Sequence, residues 1–338
     1  MNVTIDDPIL RGGRDDGPRS VRDVVDLIEQ FESECGLEAP KEELWLGRRS
    51  GLRRLPRTFR RHLLRLRARR GPSVEFVARI GASRVKVKNN LLLFYREEGH
   101  VAKLFSTEEA LDRHLQGLRA SEVFRSARTP DLISFGHAPT PWVIHPVVGS
   151  RKPNPREWRR SAPDLLVDLA RLHAQHISVR TLGIVEEERT TLRELAEALG
   201  LRLGTFTQAS LSGDIEVEAL HGPVHGDVSP GNCIADEGLF VLDWELYGPD
   251  FVVRDLRSFG HRFFSEYGSA LRGLGVTEHL DSISTQAAIY AMKRLAASTS
   301  SSYSANALKK KRQVTRSQRN AFSRIEALLQ DASVRVTR

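Results

Sequence analysis

The sequence predicts an α+β fold of two lobes: a small antiparallel β lobe, then a larger, mainly helical lobe, with a helical, Arg-rich extension in front. Three observations predict it. Residues 73–105 alternate like strands, in short runs broken by Gly81, Asn89-Asn90 and Gly99. Most of the chain beyond residue 150 carries apolar residues at helical spacing. The 338 residues exceed what a single ordinary core organises, and an apolar fraction of 40% is enough for globular packing. The extension is placed at residues 1–70, the small lobe at 71–147 and the large lobe at 148–338.

In the extension, Gly12 to Pro18 reads as loop, after which Ser20 caps a helix with Val21, Val24, Val25, Leu27, Ile28 and Phe31 on its apolar side. A second helix is expected from Pro56. Between Arg48 and Arg70 stand eleven arginines and no acid, interleaved with Leu52, Leu55, Phe59, Leu63 and Leu66. The favoured reading is a helix packed on the small lobe with its Arg face in water, because a charge run is usually a solvated face. The other is a docking face for an anionic membrane surface or nucleic acid, which the formal net charge of +8 would attract over distance.

In the small lobe, residues 75–80, 84–88, 91–96 and 100–105 are the expected strands. Gly81-Ala82-Ser83 is a plain hairpin turn or a place where backbone amides approach phosphate. Lys103 lies on the last strand and precedes a helix opened by Ser106-Thr107-Glu108-Glu109; Lys86 and Lys88 are its rivals for an anion-binding role. In the large lobe, helices are expected over residues 161–176, 190–203, part of 207–220 and 285–295. A Ser-rich loop at 298–304 should precede a terminal helix.

The chemistry concentrates between residues 225 and 255. His225-Gly226-Asp227 is followed by Asn232, then by the apolar run Leu239 to Leu242, then by Asp243. Pro230-Gly231 turns the chain between Asp227 and Asn232, and Asp243 falls at the end of a short buried strand. Phosphoryl transfer needs this set. Charge spreads over the oxygens of the transferring group, so the protein must hold divalent cations with hard oxygen ligands and orient an attacking hydroxyl. Asp227 would accept or aim the hydroxyl proton, and Asn232 and Asp243 would hold Mg²⁺.

Together with Trp244-Glu245 and Gly248-Pro249-Asp250, these residues resemble the aminoglycoside phosphotransferase and choline kinase-like superfamily, whose members are folded like protein kinases. Gly226 stands where protein kinases have Arg, which favours the small-molecule branch. The helix Leu166 to Ala174, with Leu172-His173, is similar to a helix of the family that ends in Leu-His. The resemblance spans roughly residue 74 to the end and is strongest over 221–258. It implies a kinase that uses ATP, or GTP in its place, with Mg²⁺, to phosphorylate a hydroxyl of a small-molecule acceptor such as a sugar, amino alcohol or aminoglycoside. Lys103 becomes the nucleotide-phosphate lysine, Asp255 a brace of the catalytic loop, and His225 a structural residue. Val147 becomes the backbone contact to the base, since Pro146 has no amide to offer. The chain departs from the family in two places. His114 stands where the acid that pairs with Lys103 is usual, leaving Glu109 or Glu108 as substitutes, and His145 occupies the link between lobes where an acid is common.

Other readings compete. His221, His225 and Asp227 give a spacing seen in metal-dependent hydrolases, but that reading ignores Asn232 and Asp243. A catalytically inactive, nucleotide-binding relative would keep most of the motif. Glu186, Glu187, Glu188, Glu194, Glu197 and Asp214 are read as solvated helix faces, and otherwise as a surface for a cationic aminoglycoside. Cys35 and Cys233 form no disulfide framework, and Cys233 is expected to be a buried thiol. No apolar run approaches a membrane span and the start lacks a signal peptide, so a soluble, cytoplasmic protein is expected.

Overall fold

A computed structural model of the chain describes residues 30–36, 44–46, 74–77, 90–95, 99–105, 107–149, 151–213, 215–302 and 311–336. The expected Arg-rich helix between Arg48 and Arg70, the strand at 84–88 with Lys86 and Lys88, and the turn at Gly81 lie outside the described residues. In chain order the strands are β1 (Leu44–Leu46), β2 (Val74–Val77), β3 (Asn90–Tyr95), β4 (His100–Phe105), β5 (Ala127–Arg128), β6 (Ser134–Gly136), β7 (Trp142–Pro146), β8 (Ser178–Ile184), β9 (Ile215–Val224), β10 (Cys233–Ala235), β11 (Leu239–Val241) and β12 (Gly248–Phe251). The helices are α1 (Glu108–Ala120), α2 (Pro155–Ala174), α3 (Glu186–Ala198), α4 (Thr205–Ser212), the single turn α5 (Val253–Leu256), α6 (Phe264–Gly273), α7 (Ile283–Ser302) and α8 (Lys311–Val336). Two compact units result, residues 1–116 with 129–150, and residues 117–128 with 151–338.

The first unit is a sheet of order β1-β2-β3-β4-β7-β6, antiparallel except for the β1–β2 pair. Alternation along β4 sends Ala102 and Leu104 to one face and Lys103 and Phe105 to the other. Both faces are covered, so β4 is buried from Ala102 through Phe105 rather than on alternate residues. On the first face, helical residues 30–35 bring Phe31 edge-on to Trp142 at 5.4 Å, and the Tyr95 hydroxyl donates to Glu32 at 3.4 Å. On the second face, Leu111 of α1 packs with Phe105 and Val143. Thr107 caps α1 by accepting the Ala110 amide at 3.2 Å, and Glu108 and Glu109 in the first turn complement the helix dipole.

The second unit is mainly helical. Asn154 and Glu157 form a capping box at the start of α2 with Pro155 in the first turn, and Leu165, Leu166, Leu169 and Leu172 are buried along it. Two small sheets interrupt the helices. One has the order β12-β9-β8, all antiparallel, and the other is the β10–β11 hairpin with β5 alongside. The expectation of helix over part of 207–220 holds only for α4. From Ile215 the chain is a long strand, because Ile215 and Val217 alternate with Glu216 and Glu218 and pair with Ile184 and Leu182. The expected Ser-rich loop is corrected as well: residues 298–302 continue α7. Ser298 and Thr299 bond back to the Leu295 carbonyl, both at 2.8 Å, which satisfies their hydroxyls inside a helix. Among the described residues no helix is long and apolar enough to cross a membrane.

Candidate active site

Asp227 follows β9 on a loop that turns through Pro230–Asn232 into β10. The Asn232 side-chain nitrogen donates to the Asp227 backbone oxygen at 2.9 Å and to Asp227 Oδ2 at 2.8 Å. Two oxygens on one side fix the amide's orientation, so its own oxygen Oδ1 turns the other way. The Asn232 carbonyl accepts the Leu242 amide at 2.9 Å, which sets Asp243 directly beyond that contact. Asp243 takes the left-handed conformation, φ 73° and ψ 56°, so the chain breaks out of β11 and re-aims its carboxylate. The second oxygen of Asp227, Oδ1, contacts the Arg257 guanidinium; the two side chains are 35% and 37% exposed and open to solvent together.

His225 ties these pieces together. Its Nδ1 accepts the Asp227 amide at 3.2 Å, so Nε2 carries the proton and donates to the Leu242 carbonyl at 2.9 Å. With both ring nitrogens engaged, His225 is not a metal ligand, and His221 instead packs edge-on to Phe251 at 5.5 Å. Among the described residues no group of three or more His, Cys, Asp or Glu side chains is placed to hold a metal. The metal-hydrolase reading therefore has no site. The oxygen donors Asn232 and Asp243 are hard and few, which fits Mg²⁺ that keeps water and phosphate oxygens as its remaining ligands.

Beneath the loop lies a buried relay. Asp255 of α5 accepts the amides of His225 and Gly226, both at 2.7 Å, and His173 Nε2 at 3.1 Å. Tyr267 meets His173 Nδ1 at 2.6 Å. Burial opposes the Asp255 charge, but the His173 hydrogen bond and the His225 amide outweigh it and hold the carboxyl below its ordinary 3.8. Burial and the Asp255 charge push the Tyr267 phenol well up, so it remains a donor. His173 thus links the Tyr267 hydroxyl to Asp255 through its two ring nitrogens. Gly226, at φ 87°, faces the Leu246 carbonyl, which a Cβ would approach to 2.6 Å. Arg254 closes the frame by donating to the Gly226 carbonyl at 2.9 Å and to Asp250 at 2.7 Å.

Two positions in this unit escaped the sequence reading. Asp168 in α2 is fully buried and accepts the amides of Arg125, Ser126 and Ala127 at 2.8, 2.9 and 2.8 Å, with Arg171 at 2.7 Å. Its signal was available: an acid in the apolar stripe of Leu165, Leu169 and Leu172. Arg257 carried no such signal, since it meets Asp227 only through the fold. The acids Glu186 and Glu188 serve local ion pairs, Glu186 with Arg189 and Arg193, Glu188 with Lys293 at 3.0 Å. Asp214 lies outside the described residues. Cys233 is buried, and burial pushes its thiol up to about 12. A cavity of about 340 Å³ opens beside the β10–β11 hairpin, lined by Arg151, Glu157, Arg160, Asp164 and Asp236 among others, and none of Asp227, Asn232 and Asp243 lines it.

In the first unit, Lys103 is 7% exposed, with its ammonium 4.9 Å from the Phe105 ring centroid. His114 and His145 share its face, Nε2 to Nε2 at 3.0 Å. His145 Nδ1 donates to the Asp131 carbonyl at 2.8 Å, so His145 Nε2 accepts and His114 donates. Burial, then the Lys103 charge, keep His145 below its ordinary 6.5 against the pull of Asp131. The expected substitutes for the missing acid are engaged otherwise: Glu109 pairs with Arg113, and Glu108 with His137 at 2.5 Å. The Val147 amide donates to the Gly99 carbonyl at 2.7 Å, so the group that residue can offer a base is its own carbonyl.

The profile of the phosphotransferase enzyme family, APH, matches residues 54–283. No curated protein matches the sequence. Among solved structures, a choline/ethanolamine kinase family protein from Mesorhizobium loti is 13% identical, with 73% of this chain and 89% of that one covered and a TM-score of 0.44. The macrolide 2'-phosphotransferase MphH from Brachybacterium faecium is 16% identical over 75% and 92%, TM-score 0.42. Choline kinase LicA from Streptococcus pneumoniae is 12% identical over 76% and 94%, TM-score 0.45.

Proposed function

The chain belongs to the phosphotransferase enzyme family, and from that premise we propose that it transfers the γ-phosphoryl group of ATP, or of GTP, to a hydroxyl of a small molecule. The acceptor oxygen forms a bond to the γ-phosphorus while the bond to the β-phosphate oxygen breaks, the electron pair leaving with the nucleoside diphosphate. The hydroxyl proton passes to Asp227 Oδ1, the oxygen that Asn232 does not hold. Mg²⁺ held by Asn232 and Asp243 would supply positive charge to the phosphate oxygens. Lys103 is assigned to the nucleotide phosphates.

The observation that carries this reading is the double role of Asn232. Its side chain clamps Asp227 while its backbone bonds Leu242, so a candidate base and two oxygen ligands share one rigid frame. A second reading, an inactive nucleotide-binding relative, draws on His114, which stands on the Lys103 face in place of an acid. Mg²⁺-dependent ATP consumption across a panel of hydroxyl acceptors, with Asp227→Ala beside the native chain, decides between them. A loss of about 10²- to 10⁴-fold in the variant supports the kinase. No acceptor-stimulated turnover in the native chain supports the inactive relative.

A further inference from the structure

The surroundings of Asp227 carry a charge pattern that bears on the acceptor. Wherever a hydroxyl is phosphorylated against Asp227, the rest of that molecule lies within a few ångströms of it. Arg257, the residue after α5, is in direct contact with Asp227. Arg294 lies one turn along α7 from Tyr290, whose hydroxyl reaches Asp250, the partner of Arg254 in α5, and Arg324 of α8 donates to the carbonyls of Leu256 and Phe259 on either side of Arg257. Arg324 is anchored by donating to the Phe259 carbonyl at 3.1 Å, and Arg294 is exposed. The three come from separate elements, and the cations are close enough to feel one another: burial first, then Arg294, depress the Arg257 guanidinium, and burial, then Arg257, depress Arg324. Asp250 is taken by Arg254, with the Tyr290 hydroxyl at 3.3 Å, and neither Arg294 nor Arg324 has an acidic partner among the described residues.

A cationic acceptor would meet repulsion at this place, whereas an anion would relieve it. Resting on the phosphotransferase reading, we propose that the acceptor bears a fixed negative group, a carboxylate or phosphate monoester, received by Arg257, Arg294 and Arg324 while its hydroxyl meets Asp227. Arg257 then has two partners available. Without acceptor it lies on Asp227 Oδ1, the oxygen that must take the proton; the acceptor's anion draws the guanidinium away and frees that oxygen. Arg suits the exchange because its planar fork binds carboxylates and phosphates alike. The enzyme would therefore be least reactive toward water when empty, since its base is covered until the proper acceptor arrives.

The test uses the full-length chain, Mg²⁺ and γ-labelled ATP with a deproteinised metabolite extract separated by charge into anionic, neutral and cationic pools. Label is expected in the anionic pool and lost with Asp227→Asn. Arg294→Glu and Arg257→Gln, checked for native melting, should each raise the acceptor KM by about tenfold or more. Treating the pool beforehand with a phosphatase, then removed, separates the sources: an acceptor destroyed by it carried phosphate, and one that survives carried carboxylate. Asp227-dependent label confined to the neutral or cationic pools overturns this inference and leaves the phosphotransferase reading standing. No Asp227-dependent label in any pool overturns both.

Discussion

His225 Nε2 donates to the Leu242 carbonyl at 2.9 Å, so one neutral imidazole fixes the peptide before Asp243 to the loop that carries Asp227. The ring also lies 4.4 Å, centroid to centroid, from fully buried Trp244, which leaves it little freedom to tilt. His225 thus works through geometry, by coupling two carboxylates that lie sixteen residues apart in the chain.

His225→Leu keeps most of the volume and removes both hydrogen bonds, leaving the Leu242 carbonyl and the Asp227 amide without their partner. About 1–3 kcal/mol of stability should be lost. Misplacement of the reacting groups should lower kcat by about 10- to 100-fold with a smaller effect on the KM for ATP. Denaturant unfolding and steady-state kinetics check the two parts separately.

Asp255→Asn replaces an acceptor of three donors with a neutral amide. It should destabilise the second unit by about 3 kcal/mol, as when one member of a buried charged network is removed. The pH dependence has a defined sign. The folded carboxyl titrates below its ordinary 3.8, so its stabilisation is complete above that value and is lost as pH falls through the lower folded value. Acid unfolding of the variant should therefore show a shallower loss of stability below about pH 4.

His145 runs the same way in proton terms, though here the fold favours the neutral form rather than the charged one. Its folded form resists protonation, so above the ordinary 6.5 both states are neutral, and as pH falls below 6.5 the unfolded chain takes the proton first. The melting temperature should fall from pH 7 toward pH 5.5, and His145→Gln should flatten that slope. A slope unchanged by the substitution would assign the titration to another group.

Gly117 lies inside α1, where alanine would ordinarily stabilise by about 1 kcal/mol. Here a Cβ would come to 2.7 Å from Trp244 Cε3 and 2.8 Å from its Cβ. Trp244 is fully buried and has no room to retreat, so the overpacking penalty of about 1–3 kcal/mol outweighs the helix gain. Gly117→Ala should lower stability and, by shifting the residue next to Asp243, activity as well.

Which parts were legible in the sequence follows from distance along the chain. The spacing of Asp227, Asn232 and Asp243 was readable because a turn and a short strand connect them, and the alternation of 91–96 and 100–105 marked two strands of the first sheet. β9 is legible only in part, because Ile215, Glu216, Val217 and Glu218 alternate with period two whereas residues 219–224 are buried continuously and carry no strand periodicity. The partners of Asp255, His173 and Arg257 are separated by about thirty residues or more, and Asp168 reaches back more than forty to its amides. No local pattern encodes those pairings. The outcome at Lys103 has a similar cause: Glu108 and Glu109 were the acids near in sequence, but they sit in the exposed first turn of α1, while the helix face over Phe105 belongs to Leu111 and His114.

The most direct test of the central claim is calorimetric binding of ATP with and without Mg²⁺, paired with turnover, for the native chain, Asp243→Ala and Asp227→Ala. The account predicts that Asp243→Ala loses the Mg²⁺-dependent part of binding, whereas Asp227→Ala binds Mg²⁺ and ATP normally yet transfers no phosphoryl group. Mg²⁺-dependent binding that survives in Asp243→Ala, or transfer that survives in Asp227→Ala, would contradict it.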